Sequence, residues 1–470
     1  MTRVNKKFYI TTPIYYVNDK PHIGHAYTTV AADVLARWHK TKNDKVFFLT
    51  GTDEHGIKVA QAAAAAGIPE KEFVDEKAQT FKEAWQELNV SYDNFIRTTD
   101  SNHILDVEKT LQKLYDRGFI YKGDYEGLYC VGCEQYKTKD DLIEGKCAEH
   151  NKEPILMKEE SYFFKLSQFK KTLEKKIYSD KIEIQPKERK NEILSFIKRG
   201  LKDISISRKN VSWGIPLPFD KSYTTYVWVD AFLSYLTGAG WLGKTDSYPE
   251  MWPPEVQLMS KDILRVHGTI WPGILLAFGF PLPKKIFVHG YFTVNNQKMS
   301  KSLGNVIWPE ELIKKFGVDG SRYLLMSSLV SGQDSDISWG KLAEKYNADL
   351  ANGLGNLVSR VAKLNEKFRI KKVKPAKKIK NIDKLFEEIK LKEILDEIWQ
   401  QVAWANKYIE EKKLWELVKT DPKEGKKVLK NLISLISGIG SVIAPFMPET
   451  SEKIIEILKT GKTQQLFPRV

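Results

Sequence analysis

Apolar residues change their spacing several times along the first ninety positions. The run "FYITTPI" (residues 8–14) is β-branched and aromatic, which predicts a strand. "YYVNDKP" follows as a turn-rich loop. Ile23, Tyr27, Val30, Ala31, Val34, Leu35 and Trp38 then recur at steps of three and four, the spacing of an amphipathic helix. A second strand, "KVFFLTG", runs into the loop "TDEHG" and a further helix whose five alanines, Ala62–Ala66, reflect helix propensity. Strand, loop and helix in succession predict an open, mainly parallel α/β sheet. Ligands bind such sheets at the carboxyl ends of the strands, so loops 15–25 and 51–56 are expected to line one crevice.

The rhythm breaks between residues 116 and 225, where short strand-like runs suggest an insertion. It returns at "TTYVWVDAFLSYLTG" and "KKIFVHGYFTVNNQKMSKSLGN". Beyond residue 345 the chain reads as helical, in "YNADLANGLGNLVSRVAKLNEKF" and "LKEILDEIWQQVAWANKYIEEKKLWELV". Between them lies the basic connector "RIKKVKPAKKIKN". The most apolar later stretch, residues 431–448, carries serines and two prolines and reads as a bundle helix rather than a membrane span.

Composition changes the picture in two ways. The chain has 470 residues, enough for several domains, and 42% are hydrophobic, as in ordinary globular proteins. The net charge of +14 points to a polyanionic partner, most simply nucleic acid, or to a lysine-rich surface. The N-terminus has no long apolar run, so the cytoplasm is expected and no membrane partner is. Three cysteines cannot form a disulfide framework. They cluster as Cys130, Cys133 and Cys147, with His150 two residues beyond the last. This C-x2-C-x13-C-x2-H spacing is that of a zinc site, structural or catalytic.

Two further motifs carry chemistry. "HIGH" (22–25) opens the first helix, where free N–H groups attract phosphate. His22 and His25 share a face there, and Gly24 leaves room for close approach. Alone, four such letters are equally well a capping histidine and a packed one. "KMSKS" (298–302) places Lys298 and Lys301 in a serine-containing loop suited to a transient charge, or simply to solvent.

Together, complete and in this order, the two strings resemble the signature pair of class I aminoacyl-tRNA synthetases. "TTPIYYVNDKPHIGHAY", "LTGTDEHG", "YVWVDA", "VHGYFTVNNQKMSKSLGN" and "NADLANGLGNLVSR" narrow the resemblance to the methionyl-tRNA synthetase family, over nearly the whole chain. It implies an α/β fold: a Rossmann-like parallel-sheet catalytic domain, an inserted zinc-knuckle connective domain and a C-terminal α-helical bundle. The implied boundaries are 1–115 and 226–295 for the two catalytic halves and 116–225 for the insertion. The KMSKS loop and stem-contact region is 296–345, and the anticodon-binding bundle is 346–470. The implied reaction is activation of L-methionine with ATP and Mg2+, then transfer to the 3′ end of tRNA(Met). His22, Gly24, His25, Lys298 and Lys301 would bind ATP and stabilise the transition state, and Ser300 would join them in binding ATP. Ile14, Tyr16, Asp53, Trp228, Ala231, Tyr235, Val266 and His267 would form the methionine site.

In the bundle, the same resemblance assigns Asn356, Arg360 and Trp415 to the anticodon, whose unpaired bases stack on aromatics and offer edges to Asn and Arg. Two residues depart from the family pattern. Leu414 stands where many relatives have proline, and Trp308 stands where an aspartate would cap the next helix. The chain ends soon after "LFPRV", from which a monomer is expected. Four protein ligands would fill a tetrahedral metal site, so the zinc is expected to be structural. Two other readings compete. A cysteine-specific synthetase would put its zinc in the amino-acid pocket, far from this cluster. An inactive RNA-binding paralogue would not need intact HIGH, KMSKS and Asp53.

Overall fold

The computed structural model describes residues 6–470 except 134, 138–141, 149–150, 210, 244–246, 300–303, 331 and 371–380. The chain forms two compact units that interleave along the sequence. One holds Met1–Lys20, Lys45–Glu83 and Tyr92–Val288; the other holds Pro21–Asp44, Ala84–Ser91 and His289–Val470.

The first unit is built on a six-stranded sheet. Strand β1 (Lys7–Tyr16) pairs in parallel with β2 (Lys45–Asp53) on one side and Val256–Ser260 on the other. β2 pairs in turn with β3 (Asn94–Arg97), and Lys285–His289 with Glu183–Gln185 at the far edge, again in parallel. The strand order reverses beside β1, which makes its carboxyl end a switch point for ligand binding. β1 is irregular between Thr11 and Ile14, because Pro13 has no N–H to give the ladder. Pairing resumes with Ile14 opposite Gly51 and Tyr16 opposite Asp53. Gly51 is required where it stands. A Cβ there would lie 2.0 Å from the Ile96 carbonyl oxygen of β3.

The expected insertion resolves into two parts. Ile120–Cys130, Gln135–Lys137, Ile155–Phe164 and Ile204–Ser205 form an antiparallel sheet. The helices Lys170–Tyr178 and Lys187–Arg199, with strand 183–185 between them, rejoin the main sheet. A three-residue edge strand flanked by charge leaves too short a pattern for periodicity to detect.

In the second unit, helix α1 (Ile23–Thr41) is buried on all sides from Ala26 to Ala36, and again at Trp38. At its middle, Asp33 and Arg322 form a fully buried ion pair at 2.6 Å. Arg322 also donates to the carbonyl oxygens of Leu88, Pro445 and Phe446, so its cation is hydrogen-bonded on several sides. The helical stretch expected from residue 346 starts as a π-helix over Tyr346–Gly355 and becomes an α-helix at Asn356–Phe368. The apolar stretch from 431 ends the helix Pro422–Ile443, and Pro448 starts the last helix. Among the described residues no helix is long and apolar enough to cross a membrane.

Candidate functional site

The residues of the expected amino-acid site all belong to the first unit. Tyr16 and Asp53 end adjacent strands, and the Val17 N–H donates to the Asp53 carbonyl, which holds the two loop starts together. Asp53 is buried, whereas Ile14, Tyr16 and Trp228 are half-buried. Helix Val227–Thr237 supplies Trp228, Ala231 and Tyr235, and helix Leu264–Phe278 supplies Val266 and His267.

Two of these side chains, Tyr235 and Trp228, meet the His267 imidazole. His267 Nδ1 lies 2.9 Å from the Ile263 carbonyl oxygen and so carries the proton. Its Nε2 is then the acceptor for the Tyr235 hydroxyl at 2.9 Å. Burial pushes the His267 ring down to about 4, so it stays neutral. Burial, then the neighbouring Tyr15 and Asp53, hold the Tyr235 phenol well above its usual range, so it keeps its proton. Trp228 meets His267 edge to face at 6.0 Å, and Phe232 does so at 5.0 Å. Tyr9 donates to the Tyr235 carbonyl at 2.6 Å. The result is a rigid aromatic wall with one acidic carboxylate, Asp53, at a strand end.

Behind this wall lies a cluster that the periodicity does not reveal. Buried Asp230 accepts from His55 Nδ1 and His103 Nε2, both at 2.7 Å. Burial alone would raise its pKa, but the two imidazoles more than offset that and hold the carboxyl below its usual range. Asp230 thereby ties the Trp228 helix to the "TDEHG" loop and to helix Ser101–Asp116. In the same loop, buried Glu54 accepts from Thr52, Arg97 and Thr99. The signal in the sequence was the polar pair "EH" directly after Asp53, beside a strand that buries everything around it.

The HIGH residues begin α1 in the second unit. His22 is the N-cap, and its Nδ1 accepts from the Gly24 N–H at 3.0 Å. His25 Nδ1 accepts from the His22 N–H at 3.3 Å. The two rings stack at 3.9 Å. With both Nδ1 atoms accepting, each neutral ring carries its proton on Nε2, a donor suited to a phosphate oxygen. Burial, helped by His22, pushes the His25 pKa well down and keeps it neutral. A Cβ on Gly24 would come within 2.8 Å of the His22 ring and displace the cap.

The Ile23 N–H donates to the Ile307 carbonyl, so the start of α1 is fastened to the chain just after the KMSKS string. Lys298 is exposed on a hairpin, with its Nζ 5.0 Å over the Tyr291 ring. The hairpin turns on Asn295 and Asn296, both with positive φ, the two-residue turn that matches strand twist. Ser300 and Lys301 lie outside the described residues. At Trp308 the missing aspartate is partly replaced: the Glu311 carboxylate accepts the Trp308 N–H, and Pro309 opens the helix.

In the bundle, Arg360 lies over the Trp415 ring at 5.8 Å and pairs with Glu410 at 2.7 Å. Asn356 is exposed one turn before Arg360. Leu414 is fully buried and starts the helix Leu414–Thr420, which leaves Trp415 exposed beside it.

The Sγ atoms of Cys130, Cys133 and Cys147 lie within 4.8 Å of one another, those of Cys133 and Cys147 at 3.5 Å. Thiolates about 2.3 Å from a shared tetrahedral zinc sit at such separations, so this trio is compatible with the metal. His150, the fourth ligand expected, lies outside the described residues.

A parallel sheet with its switch point at β1, a histidine-capped first helix and a lysine hairpin after the last strand define a class I aminoacyl-tRNA synthetase. A family described as "tRNA synthetases class I (M)" matches residues 8–153 and 133–362, and one described as "Anticodon binding domain of methionyl tRNA ligase" matches 361–469. The chain is 43% identical to the methionine-tRNA ligase of Caldanaerobacter subterraneus subsp. tengcongensis, over 98% of its own length and 75% of the relative's. It is 44% identical to that of Clostridium acetobutylicum, over 99% and 78%. The fold matches Mycobacterium tuberculosis methionyl-tRNA synthetase in complex with methionyl-adenylate, with a TM-score of 0.89 and 35% identity over 96% and 94% of the two chains. This chain belongs to the methionyl-tRNA synthetase family.

Proposed function

We propose that this enzyme, a methionine-tRNA ligase, uses the residues above in two steps. First, a methionine carboxylate oxygen attacks the α-phosphorus of ATP, and the bond to pyrophosphate breaks. Next, a terminal ribose hydroxyl of tRNA(Met) attacks the adenylate carbonyl, and AMP leaves. No side-chain nucleophile is needed, so catalysis is positioning and charge stabilisation.

Asp53 takes the α-ammonium as a charge-assisted acceptor. Ile14, Tyr16, Ala231 and Val266 bound the side-chain pocket, and Trp228 meets the thioether with an aromatic ring. The Tyr235–His267 pair is neutral, so it holds the pocket's shape without offering a charge to the wrong amino acid. His22 and His25 donate Nε2–H to phosphate oxygens, with Gly24 permitting close approach. Lys298, Ser300 and Lys301 meet the charge that develops on the triphosphate. Mg2+ accompanies ATP and neutralises phosphate charge. Asn356, Arg360 and Trp415 read the anticodon, supported by the Arg360–Trp415 contact.

Cys130, Cys133, Cys147 and His150 hold one zinc per chain that stabilises the knuckle. Freshly purified protein well below that stoichiometry would remove this assignment. Because charged tRNA is consumed by ribosomes, the reaction belongs in the cytoplasm. We take the enzyme to act as a monomer, which sedimentation would check.

The observation that carries the proposal is the polarised wall around His267 beside the strand-end carboxylate Asp53. Pyrophosphate exchange into ATP, run with each of the twenty amino acids, tests it. Exchange with methionine alone is expected. Exchange with cysteine alone would transfer the assignment to a cysteine enzyme, and none at all would indicate an inactive paralogue.

A further inference from the structure

The net charge of +14 is not spread evenly. Residues 165–202 hold twelve lysines and arginines against five acids, and the connector 369–381 holds seven cations and no acid. The remainder of the chain is neutral. The first of these segments is folded, within the first unit, as the helices Lys170–Tyr178 and Lys187–Arg199.

The two helices run antiparallel. Lys190 Nζ, early in the second, donates to the Tyr178 carbonyl and pairs with Asp180 at the end of the first. At the opposite end, Lys170 Nζ donates to the Lys198 carbonyl. Acids therefore sit at one end, where Arg189 also pairs with Glu192. The other end gathers Lys170, Lys171, Lys198, Arg199 and Lys202. Its nearby acid, Asp203, is engaged by the Ser167 N–H and the Tyr121 hydroxyl. Lys171, Lys175, Lys198, Arg199 and Lys202 are exposed and have no acidic partner among the described residues.

Local stability does not account for this pole. Lys198 and Arg199 suit a helix C-terminus, but Lys170 and Lys171 occupy a first turn with no acid in it, against the helix dipole. Lys171, Lys175 and Tyr178 fall at steps of four and three, opposite the buried Leu173 and Ile177. The Tyr178 ring is 75% exposed at the end of that stripe. A lysine row ending in a bare aromatic fits a sugar-phosphate backbone with a terminal base pair or unpaired base to stack on. The pair is also rigidly based. Ile193 packs on Gly268, and Arg265 stacks on Phe196 at 3.9 Å, both on the helix that carries His267.

We propose that this cationic helix pair binds the phosphate backbone of double-stranded RNA in the tRNA, separately from the anticodon bundle. The proposal rests on the synthetase reading for its partner. The probe is an RNA minihelix of about twelve base pairs with no anticodon, followed by fluorescence anisotropy against salt. Lys171→Glu, Lys198→Glu and Arg199→Glu are combined. The wild type should bind the minihelix, and the triple variant should bind at least tenfold more weakly near 0.15 M salt. Its log–log salt slope should fall by roughly two to three, one per lost phosphate contact. Methionine-dependent pyrophosphate exchange should be unchanged, and Lys198→Arg should bind as the wild type does. Equal affinity and slope in the wild type and the triple variant, or no binding by the wild type, would overturn the proposal. Failure of exchange in the wild type would instead count against the catalytic reading and leave the binding result to stand by itself.

Discussion

Two pairs of histidines show how little the residue type says by itself. His22 and His25 stack at the start of a helix, and each ring accepts a backbone N–H at Nδ1. His55 and His103 instead face one buried carboxylate, Asp230, from opposite sides. The first pair spends its Nδ1 atoms on the backbone at the helix start. The second uses its donors inside the protein and joins three elements. What differs is the third group each pair meets: a helix backbone in one case, a carboxylate in the other.

The comparison breaks most visibly at Asp230. Asp230→Ala leaves two imidazoles without their acceptor and should cost about 3–5 kcal/mol of stability, read as a lowered denaturation midpoint. A variant as stable as the wild type would show that the cluster ties nothing together. At the other pair the effect should fall on rate. His25→Ala should slow adenylate formation by about 10²- to 10³-fold with little change in melting temperature. If instead it melts early and turns over normally, the two pairs have the same role.

A smaller effect is expected at Tyr235. Tyr235→Phe strands the buried Nε2 of His267, at a cost of about 1–3 kcal/mol. It should raise KM for methionine more than it lowers kcat; an unchanged KM would detach the pair from the pocket.

The subtlest test is pH. An unfolded histidine takes up its proton near pH 6.5, whereas folded His267 does so only at about 4. The unfolded state therefore binds more protons between these values, and stability should fall as pH drops from about 6.5 towards 4. His25, also lowered, adds to the same slope. Asp230 has the depressed carboxylate's sign: its contribution is present above about pH 3.9 and is lost as pH falls through its folded value. Urea denaturation of His267→Gln should flatten the profile between pH 6.5 and 4 and leave the acid limb. A profile identical to the wild type's would contradict the buried, neutral ring.

Much of this was legible beforehand. The step of three and four from Ile23 to Trp38 marked α1, and "FYITTPI" and "KVFFLTG" marked adjacent strands. HIGH, KMSKS and the cysteine spacing pointed to chemistry because each needs particular residues close together in the chain. The Asp230 cluster was not legible, since its members are 48 and 127 residues apart and no local pattern links them. The edge strand 183–185 was too short to show a period. The π-helix at 346–355 carries the same apolar spacing that an α-helix would.

By itself, then, the sequence determined the order of elements, the positions of the short-range motifs and the uneven distribution of charge. All of these depend on neighbours along the chain. The tertiary structure decided which nitrogen of each histidine holds its proton, which carboxylates are partnered and which cations share one end of a helix pair. These depend on contacts between distant segments, where burial and a single hydrogen-bond partner set the charge state, and neighbouring residues in the chain do not encode them.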